Sequence, residues 1–416
     1  MTLLLLQMTT VLLTALLFGW VARKFGQARV IGEIVGGIFL GPSVFGRIAP
    51  HAWAGLFPPN SLGPFDLLST VGLILFMFLI GSELRYEHLR QHRATAALTS
   101  GMSILLPFLI AVAVAPSLRI RFAPRGVGSL PFALFLGVSM SITAFPVLAR
   151  ILEERRMQST SLGTTALMCA AVDDVSAWIL LAIALTLIPH NVQLMSLPYR
   201  LLWLGTYLST MAGVVRPLGK WLVRRQNSIA LSYEVMGIIV AVVLASAAAT
   251  EAIGVHPLFG AFLAGVCFPR MEHWQSALRT RLEMVVSVLL LPFFFALTGM
   301  RTRLDLLHGA NMWFWTAVVL AVAVAGKMGG AVLAARWTGQ TWKNAWALGA
   351  LLNTRGLVEL IVLNVAYNAK VFSPALFTML VVMALITTMI TTPILDLLGI
   401  RGSTDQSPGS AVTEAA

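Results

Sequence analysis

Thirteen long apolar runs, each separated from the next by a short polar break, make up most of this chain. About 20 apolar residues suffice to cross a bilayer as a helix, in which every backbone N–H and C=O is satisfied within the segment. A membrane β-barrel would show alternating apolar and polar residues instead, and these runs are continuous. The sequence therefore predicts an all-α polytopic membrane protein.

Composition supports this class, since 58% of the 416 residues are hydrophobic and only 11% are charged. Residues 1–400 are expected to form one transmembrane domain, followed by a short disordered cytoplasmic tail at 401–416. The predicted spans cover approximately residues 3–22, 28–47, 65–83, 95–116, 130–150, 161–188, 199–221, 229–249, 252–268, 283–299, 311–335, 344–366 and 372–398.

The charges are distributed as in a membrane protein. The net charge is +12, yet the 29 lysines and arginines occur singly or in small clusters between apolar runs, so no nucleic-acid partner is expected. Most of them fall in the loops on one side, and the first run is followed by Arg23 and Lys24. The positive-inside rule then places the N-terminus outside and the C-terminus in the cytoplasm.

Two neighbouring carboxylates, Asp173 and Asp174, lie inside the run at 161–188. Placing an Asp at the centre of a membrane helix costs roughly 2.5–3.5 kcal/mol, so a chain that keeps two is expected to use them to meet something charged. Cys169 and Cys267 lie in separate runs without metal-ligand spacing, and we expect no cofactor.

Two other runs contain residues that disfavour a continuous helix. Ser141 and Thr143 precede Pro146, which lacks a backbone donor and blocks the carbonyl four residues earlier. Asn353–Gly356 (NTRG) places polar groups, a charge and a glycine in the middle of the twelfth run. For the proline alone an ordinary kink is the alternative. Two interruptions, seven spans apart and thus in spans of opposite direction, predict an inverted-topology repeat of spans 4–6 and 11–13 with crossed discontinuous helices.

Six ordered stretches resemble the monovalent cation:proton antiporter-2 family, most closely its plant cation/H⁺ exchangers and short bacterial relatives. The resemblance covers about residues 10–398. The stretches are Val30–Ser43 (VIGEIVGGIFLGPS), Phe78–Leu84 (FLIGSEL), Ser141–Arg150 (SITAFPVLAR), Ala171–Trp178 (AVDDVSAW), Gly254–Gly265 (GVHPLFGAFLAG) and Asn353–Asn364 (NTRGLVELIVLN).

The resemblance implies a secondary active transporter, not an enzyme, that exchanges Na⁺ or K⁺ for protons in a bacterial inner membrane. It implies a homodimer in the lipid bilayer, built from a dimerising panel and a mobile core at about 95–188 and 311–398. Asp174 matches the acidic position that binds the cation or the proton. Lys327 lies within the predicted span at 311–335 and matches the core lysine.

Adjacent helical residues point about 100° apart, so Asp173 and Asp174 cannot both face one ligand. We therefore expect Asp173 to pair with Lys327 while a cation or proton occupies Asp174. A buried lysine loses its proton readily, so Lys327 is either a second proton carrier or a structural counter-ion, and the sequence leaves both open.

The remaining polar groups in the spans have two possible roles each. Thr143 and Ser141 could each offer an oxygen to the ion, or their hydroxyls could bond their own backbone. We expect the crossing of the two discontinuous helices to include Ser141, Pro146, Asn353 and Gly356. We expect a structural role there for Arg355 and Glu359, which are four residues apart and therefore on one helix face.

Three other functions were considered. An intramembrane aspartyl protease needs its carboxylates on different helices, and here they are neighbours. A sodium-coupled solute symporter of similar architecture is the main alternative, because the sequence does not exclude a pocket for an organic substrate. A cation channel or a sensor of this fold would not couple cations to protons. Proton flux driven by a cation gradient separates an antiporter from all three.

Overall fold

The computed structural model describes residues 2–58, 61–83, 93–158, 160–186, 197–225, 232–255, 257–269 and 277–400. Within these ranges the chain is helical and contains no β-strand. This confirms the all-α membrane fold predicted from the apolar runs. The predicted tail at 401–416 lies outside the described residues.

The helices of the first half are α1 Thr2–Lys24, α2 Arg29–Leu40, α3 Phe45–Ile48, α4 Pro50–Leu56, α5 Gly63–Glu83, α6 Arg93–Phe122, α7 Ser129–Ser141, α8 Phe145–Glu154 and α9 Ser161–Thr186. Those of the second half are α10 Leu197–Thr210, α11 Arg216–Arg225, α12 Tyr233–Ile253, α13 Pro257–Cys267, α14 Leu291–Arg301, α15 Gly309–Trp337, α16 Trp342–Leu352, α17 Leu357–Asn368 and α18 Pro374–Leu397. A π-helical turn at Met211–Val215 joins α10 to α11, and two more precede α14.

Each predicted span coincides with a helix, or with two helices joined across a break, in the described part of the chain. Nine of the described helical segments are long and apolar enough to cross a membrane by themselves. The pair α16 and α17, bent by 44° at a break of a few residues, adds a tenth. The shorter helices α7 and α13 are apolar as well, so the number of crossings depends on how broken and short helices are counted.

The helices pack in two groups. In the first, α6 packs against α7, α9 and α15, and α15 packs against α16 and α18. In the second, α2 packs against α1 and α14, while α5 packs against α13 and α14. The first group contains both breaks and corresponds to the predicted core, and the second to part of the predicted panel. The division at 95–188 and 311–398 stays a prediction.

Small residues bring α15 unusually close to α6. A Cβ at Gly326 would lie 2.7 Å from the Cα of Pro107, and one at Gly330 would lie 2.3 Å from the carbonyl oxygen of Met102. No larger residue fits at these two positions while the backbones keep their separation, as is common where membrane helices touch. The close approach places Lys327, which follows Gly326, against the polar segment of α6.

The two predicted interruptions are present, and they cross each other. Between α7 and α8 the backbone is non-helical at residues 142–144, and between α16 and α17 it is non-helical at residues 353–356. The backbone N–H of Ala144 donates to the carbonyl of Thr354 at 3.0 Å, which ties one break to the other. Pro146 is the second residue of α8, where a helix has no acceptor for a backbone N–H.

Gly356 allows the two breaks to meet. A Cβ there would lie 2.6 Å from Cγ2 of Val147 at the start of α8, and 3.2 Å from Cβ of Ala144. The close approach therefore explains why a residue without a side chain follows Arg355. The crossing is thus a packed junction of extended backbone inside the protein, as non-helical chain at membrane depth requires.

Candidate functional site

Asp173 and Asp174 lie in the middle of α9 and are buried, with 1% and 3% of their surface exposed. Their side chains have different surroundings, as expected for neighbours that point about 100° apart on a helix. Asp173 is surrounded by donors, whereas Asp174 has none among the described residues. The pair therefore consists of one satisfied and one unsatisfied carboxylate.

Four side chains from two helices and one break hold Asp173. Ser100 donates to Oδ1 at 2.6 Å, and Ser103 donates to Oδ2 at 3.3 Å. Thr143 donates to Oδ2 at 2.5 Å. Lys327 Nζ lies 2.8 Å from the same oxygen, and both side chains of this ion pair are fully buried. A buried carboxylate with an opposite charge and several donors is a stable arrangement.

Lys327 also donates to the carbonyl of Ser141, the last residue of α7. The C-terminal carbonyls of a helix carry partial negative charge, so a cation at this position is favourable. Lys327 thus connects α15 to both the half-helix α7 and the carboxylate on α9. The structure places the lysine against the partner that the sequence indicated for it.

Thr143 connects the acidic helix to both breaks. It lies between α7 and α8, and its hydroxyl is within donor distance of Asp173 and also of the carbonyl of Leu352, at 2.9 Å. A hydroxyl has a single hydrogen, so it serves one of these two acceptors at a time. Ser141 differs, because its hydroxyl bonds the carbonyls of Gly137 and Ile104 and is directed to backbone.

Arg355 caps the end of α7 from the opposite break. Its Nη1 donates to the carbonyl of Ser139 at 2.9 Å, and its Nη2 donates to that of Met140 at 2.8 Å. Glu359, one turn along α17, has a carboxylate oxygen 3.3 Å from Nη1, and both side chains are fully buried. These contacts fit the structural role expected of Arg355 and Glu359.

Several members of the site were missed by sequence reasoning. Ser100 and Ser103 lie three residues apart on one face of α6, within the polar stretch Thr99–Ser103 of an otherwise apolar helix. That spacing could have indicated a polar contact of α6. The sequence around Thr388 on α18 contains no such signal, although Thr388 accepts from the backbone N–H of Arg355 at 2.9 Å and donates to its carbonyl at 2.7 Å.

Two cavities lie between the helices of the crossing and those of the second group. One, of about 190 Å³, lies between α2, α5 and α14 and the starts of α8 and α17. Its lining includes Glu33, Val147 and Leu357. The other, of about 100 Å³, lies between α5, α13, α14 and the end of α17, and is lined by Asp66, Arg301 and Asn364, among others.

Comparison with known proteins assigns this arrangement to a family. Residues 12–398 match the transmembrane sodium/hydrogen exchanger family. The Na(+)/H(+) antiporter NhaS4 of Synechocystis is 42% identical over 384 residues, which cover 91% of this chain and 93% of that protein.

Longer relatives occur in plants and yeast. Cation/H(+) antiporter 19 of Arabidopsis thaliana is 38% identical, and K(+)/H(+) antiporter 1 of Saccharomyces cerevisiae is 32% identical. Each match covers 95% of this chain but only 49% and 46% of those proteins, so the chain spans about half their length.

A solved structure supports the fold. The sodium proton antiporter MjNhaP1 of Methanocaldococcus jannaschii superposes with a TM-score of 0.66, covering 96% of this chain and 99% of that one, at 16% sequence identity. At this identity the likeness concerns the fold alone.

Proposed function

We propose that this chain, which belongs to the sodium/hydrogen exchanger family, exchanges a monovalent cation, Na⁺ or K⁺, for protons across a membrane. The observation that carries the proposal is Asp174. Its carboxylate is buried beside the crossing, and neither oxygen has a hydrogen-bond partner among the described residues. An uncompensated carboxylate in that position is unfavourable until it takes up a positive charge.

Either a proton or an alkali cation satisfies this requirement. Both bind the same two oxygens, so occupancy by one excludes the other. Asp173 does not compete with Asp174 for the proton or the cation, since Lys327 already neutralises Asp173. Asp174 is therefore the exchange site, and Asp173 with Lys327 and Thr143 forms the fixed part of the site beside it.

The two cavities suggest how the site reaches both sides. They flank the crossing, and each lies between the core helices and the panel. In transporters with inverted repeats, one bundle rocks against the other around a central site. We expect the core at 95–188 and 311–398 to move in this way, and to move readily only when Asp174 is loaded, because a bare carboxylate is costly to carry past apolar side chains.

Lys327 has two possible roles in this cycle. As a counter-ion it keeps Asp173 charged and α15 against α7. As a proton carrier it would release its proton when a cation arrives at Asp174 and weakens its pairing with Asp173. Lys327→Gln distinguishes these roles, because only loss of a proton carrier changes the ratio of protons to cations exchanged. An unchanged ratio and pH profile would leave the counter-ion role.

The protein is a multi-pass membrane protein. We further propose a bacterial inner membrane, a cytoplasmic C-terminus and a homodimer formed through the panel. The distribution of Lys and Arg supports the orientation, and the resemblance supports the dimer. In this orientation the cavity beside Glu33 faces the cytoplasm.

Dissipation of a pH gradient in everted vesicles, on addition of Na⁺, K⁺ or Li⁺, tests the proposal. We expect at least one cation to release protons in the wild type, and none to do so in Asp174→Asn. The matched control is Asp396→Asn, since Asp396 pairs with Arg155 at a side chain that is 57% exposed. A fully active Asp174→Asn variant would show that the site is elsewhere. Cation uptake without proton movement would favour the symporter.

A further inference from the structure

Thr99 and Asn353 share with Asp174 the property of being buried and unpaired. They are 0% and 1% exposed, and their side-chain polar atoms have no hydrogen-bond partner among the described residues. About nine in ten buried polar groups in proteins are hydrogen-bonded, so three unpaired side chains near one crossing require an explanation.

Thr99 lies beside the Asp173 network on α6. The next residue, Ser100, donates directly to Asp173 at 2.6 Å, and α6 packs against α9. As with the two aspartates, adjacent residues of a helix diverge by about 100°. Thr99 therefore lies one residue before a donor to Asp173, and its own hydroxyl makes no hydrogen bond to Asp173 or to any other described residue.

Asn353 lies beside the same network from the second break. The preceding residue, Leu352, offers its carbonyl to the Thr143 hydroxyl at 2.9 Å, and this hydroxyl also reaches Asp173. The helix that ends at Leu352, α16, packs against α9. The Asn353 carboxamide thus directly follows Leu352, whose carbonyl is linked to Asp173 through the Thr143 hydroxyl.

The chemistry of these groups fits a cation. Na⁺ and K⁺ are hard ions that prefer oxygen ligands and bind several at once. A single carboxylate matches the charge of one such ion. A hydroxyl and a carboxamide oxygen add ligands without adding charge. A proton, by contrast, needs only one oxygen, so neutral ligands favour the cation in the competition.

We propose that Thr99 and Asn353 supply neutral oxygen ligands to the cation held by Asp174, and that they determine which alkali cation is preferred. This inference rests on the exchange proposed above. It assigns a binding role to a threonine that the sequence did not single out, and to an asparagine that was expected to be structural. Thr99 lies on α6 and Asn353 lies in the break after α16, so their separation adjusts the size of the site.

The test is the apparent KM for Li⁺, Na⁺ and K⁺, measured by cation-driven proton flux in proteoliposomes at one pH. Thr99→Val removes an oxygen at nearly constant volume, and Asn353→Leu removes one while keeping a side chain branched at Cγ. We expect the KM of the preferred cation to rise about tenfold, the effect of losing one good polar contact, and the ratio of KM values between cations to change. Thr99→Ser keeps the oxygen and is expected to restore both the KM of the preferred cation and the ratio of KM values between cations.

Thr316→Val is the matched control, because Thr316 is also buried on a core helix but its hydroxyl bonds the carbonyl of Met312 at 2.9 Å. If Thr99→Val and Asn353→Leu give the same KM ratios as this control, the proposed ligands are wrong. If Asn353→Leu does not purify as a folded protein, the KM ratios of Thr99→Val and Asn353→Ser decide whether the proposed ligands are correct. Wild-type protein without any cation-driven proton flux would instead refute the exchange itself.

Discussion

Two aspartates with identical chemistry have different surroundings here because a helix turns by about 100° per residue. Asp173 faces Lys327 and three hydroxyls, and its charge is balanced inside the protein. Asp174 faces none of these donors. The same helix therefore presents a neutralised carboxylate and an unsatisfied one side by side.

The Asp173–Lys327 pair allows a stability prediction. Lys327→Gln leaves a buried carboxylate without its counter-charge and is expected to destabilise the protein by about 3–5 kcal/mol. Asp173→Asn with Lys327→Gln is neutral overall and is expected to recover most of this loss. Thermal unfolding of the purified variants in detergent measures both.

The control for this pair is Arg155→Gln, which breaks the more exposed contact with Asp396. It is expected to cost no more than about 1 kcal/mol. If the double variant were as unstable as Lys327→Gln alone, the lysine would stabilise the protein by packing and not by charge.

At the scale of helices, the crossing depends on space as much as on polar contacts. Arg355 satisfies the end carbonyls of α7, and Thr388 satisfies the backbone at Arg355. Gly356 leaves room for Val147. A broken helix is tolerated at membrane depth here because backbone groups that the breaks expose find partners, at the end of α7 from the other repeat and at Arg355 from the neighbouring helix α18.

Gly356→Ala is expected to destabilise the protein by about 1–3 kcal/mol, since the added methyl overpacks against Val147. Val147→Ala removes the methyl that it meets, so the double variant is expected to be more stable than Gly356→Ala alone. Gly101→Ala, on α6, is the control, because a Cβ there contacts nothing within 4 Å. Equal instability of the single and double variants would mean that the backbone, not the contact with Val147, requires glycine.

A second element-scale prediction concerns Arg301, at the end of α14. Its Nη2 binds both carboxylate oxygens of Asp66 on α5, at 2.8 and 3.0 Å, and its Nη1 binds Asn364 on α17 at 2.8 Å. The guanidinium therefore connects α17 to α5 beside the cavity of about 100 Å³. The proposed movement of the core relative to the panel would break the contact with Asn364.

We expect Arg301→Met to open this cavity. Ser69 is 5% exposed and lines it, so Ser69→Cys, in a variant with Cys169 and Cys267 replaced by Ala, reports access through its rate of labelling by a maleimide. Labelling is expected to be faster with Arg301→Met. Arg303→Met serves as the control, since the side chain of Arg303 pairs with nearby Asp305. Equal labelling rates in both variants would exclude a closing role for Arg301.

For the whole molecule, the proposed competition of cation and proton for Asp174 predicts how transport depends on pH. Lowering the pH increases the fraction of Asp174 that carries a proton, so less of the protein is free to bind a cation. The apparent KM for the cation is therefore expected to rise as the pH falls. Proteoliposomes at several pH values, equal on both sides, provide the measurement. An apparent KM independent of pH would indicate separate sites for cation and proton.

Much of this organisation was predictable because membrane insertion leaves a strong local signal. The apolar runs give the spans, and Pro146 and Asn353–Gly356 mark both breaks, since polar or helix-breaking residues at that depth stand out. The hydroxyl of Thr388 was not predictable in the same way, and that of Ser100 was indicated only by its spacing from Ser103. Serine and threonine occur throughout membrane helices, where they usually bond their own backbone.

The sequence by itself determined the class of protein, the two interruptions and the acidic pair, because each of these is local to one segment and costly in a membrane. Only the tertiary structure showed that Asp173 is held by four donors while Asp174 has no hydrogen-bond partner among the described residues. That difference depends on how closely α15 approaches α6 and on which face of α9 the crossing meets. Contacts between separate segments, such as those of Asp173 with Thr143 and with Lys327, determine both, and no single segment contains that information.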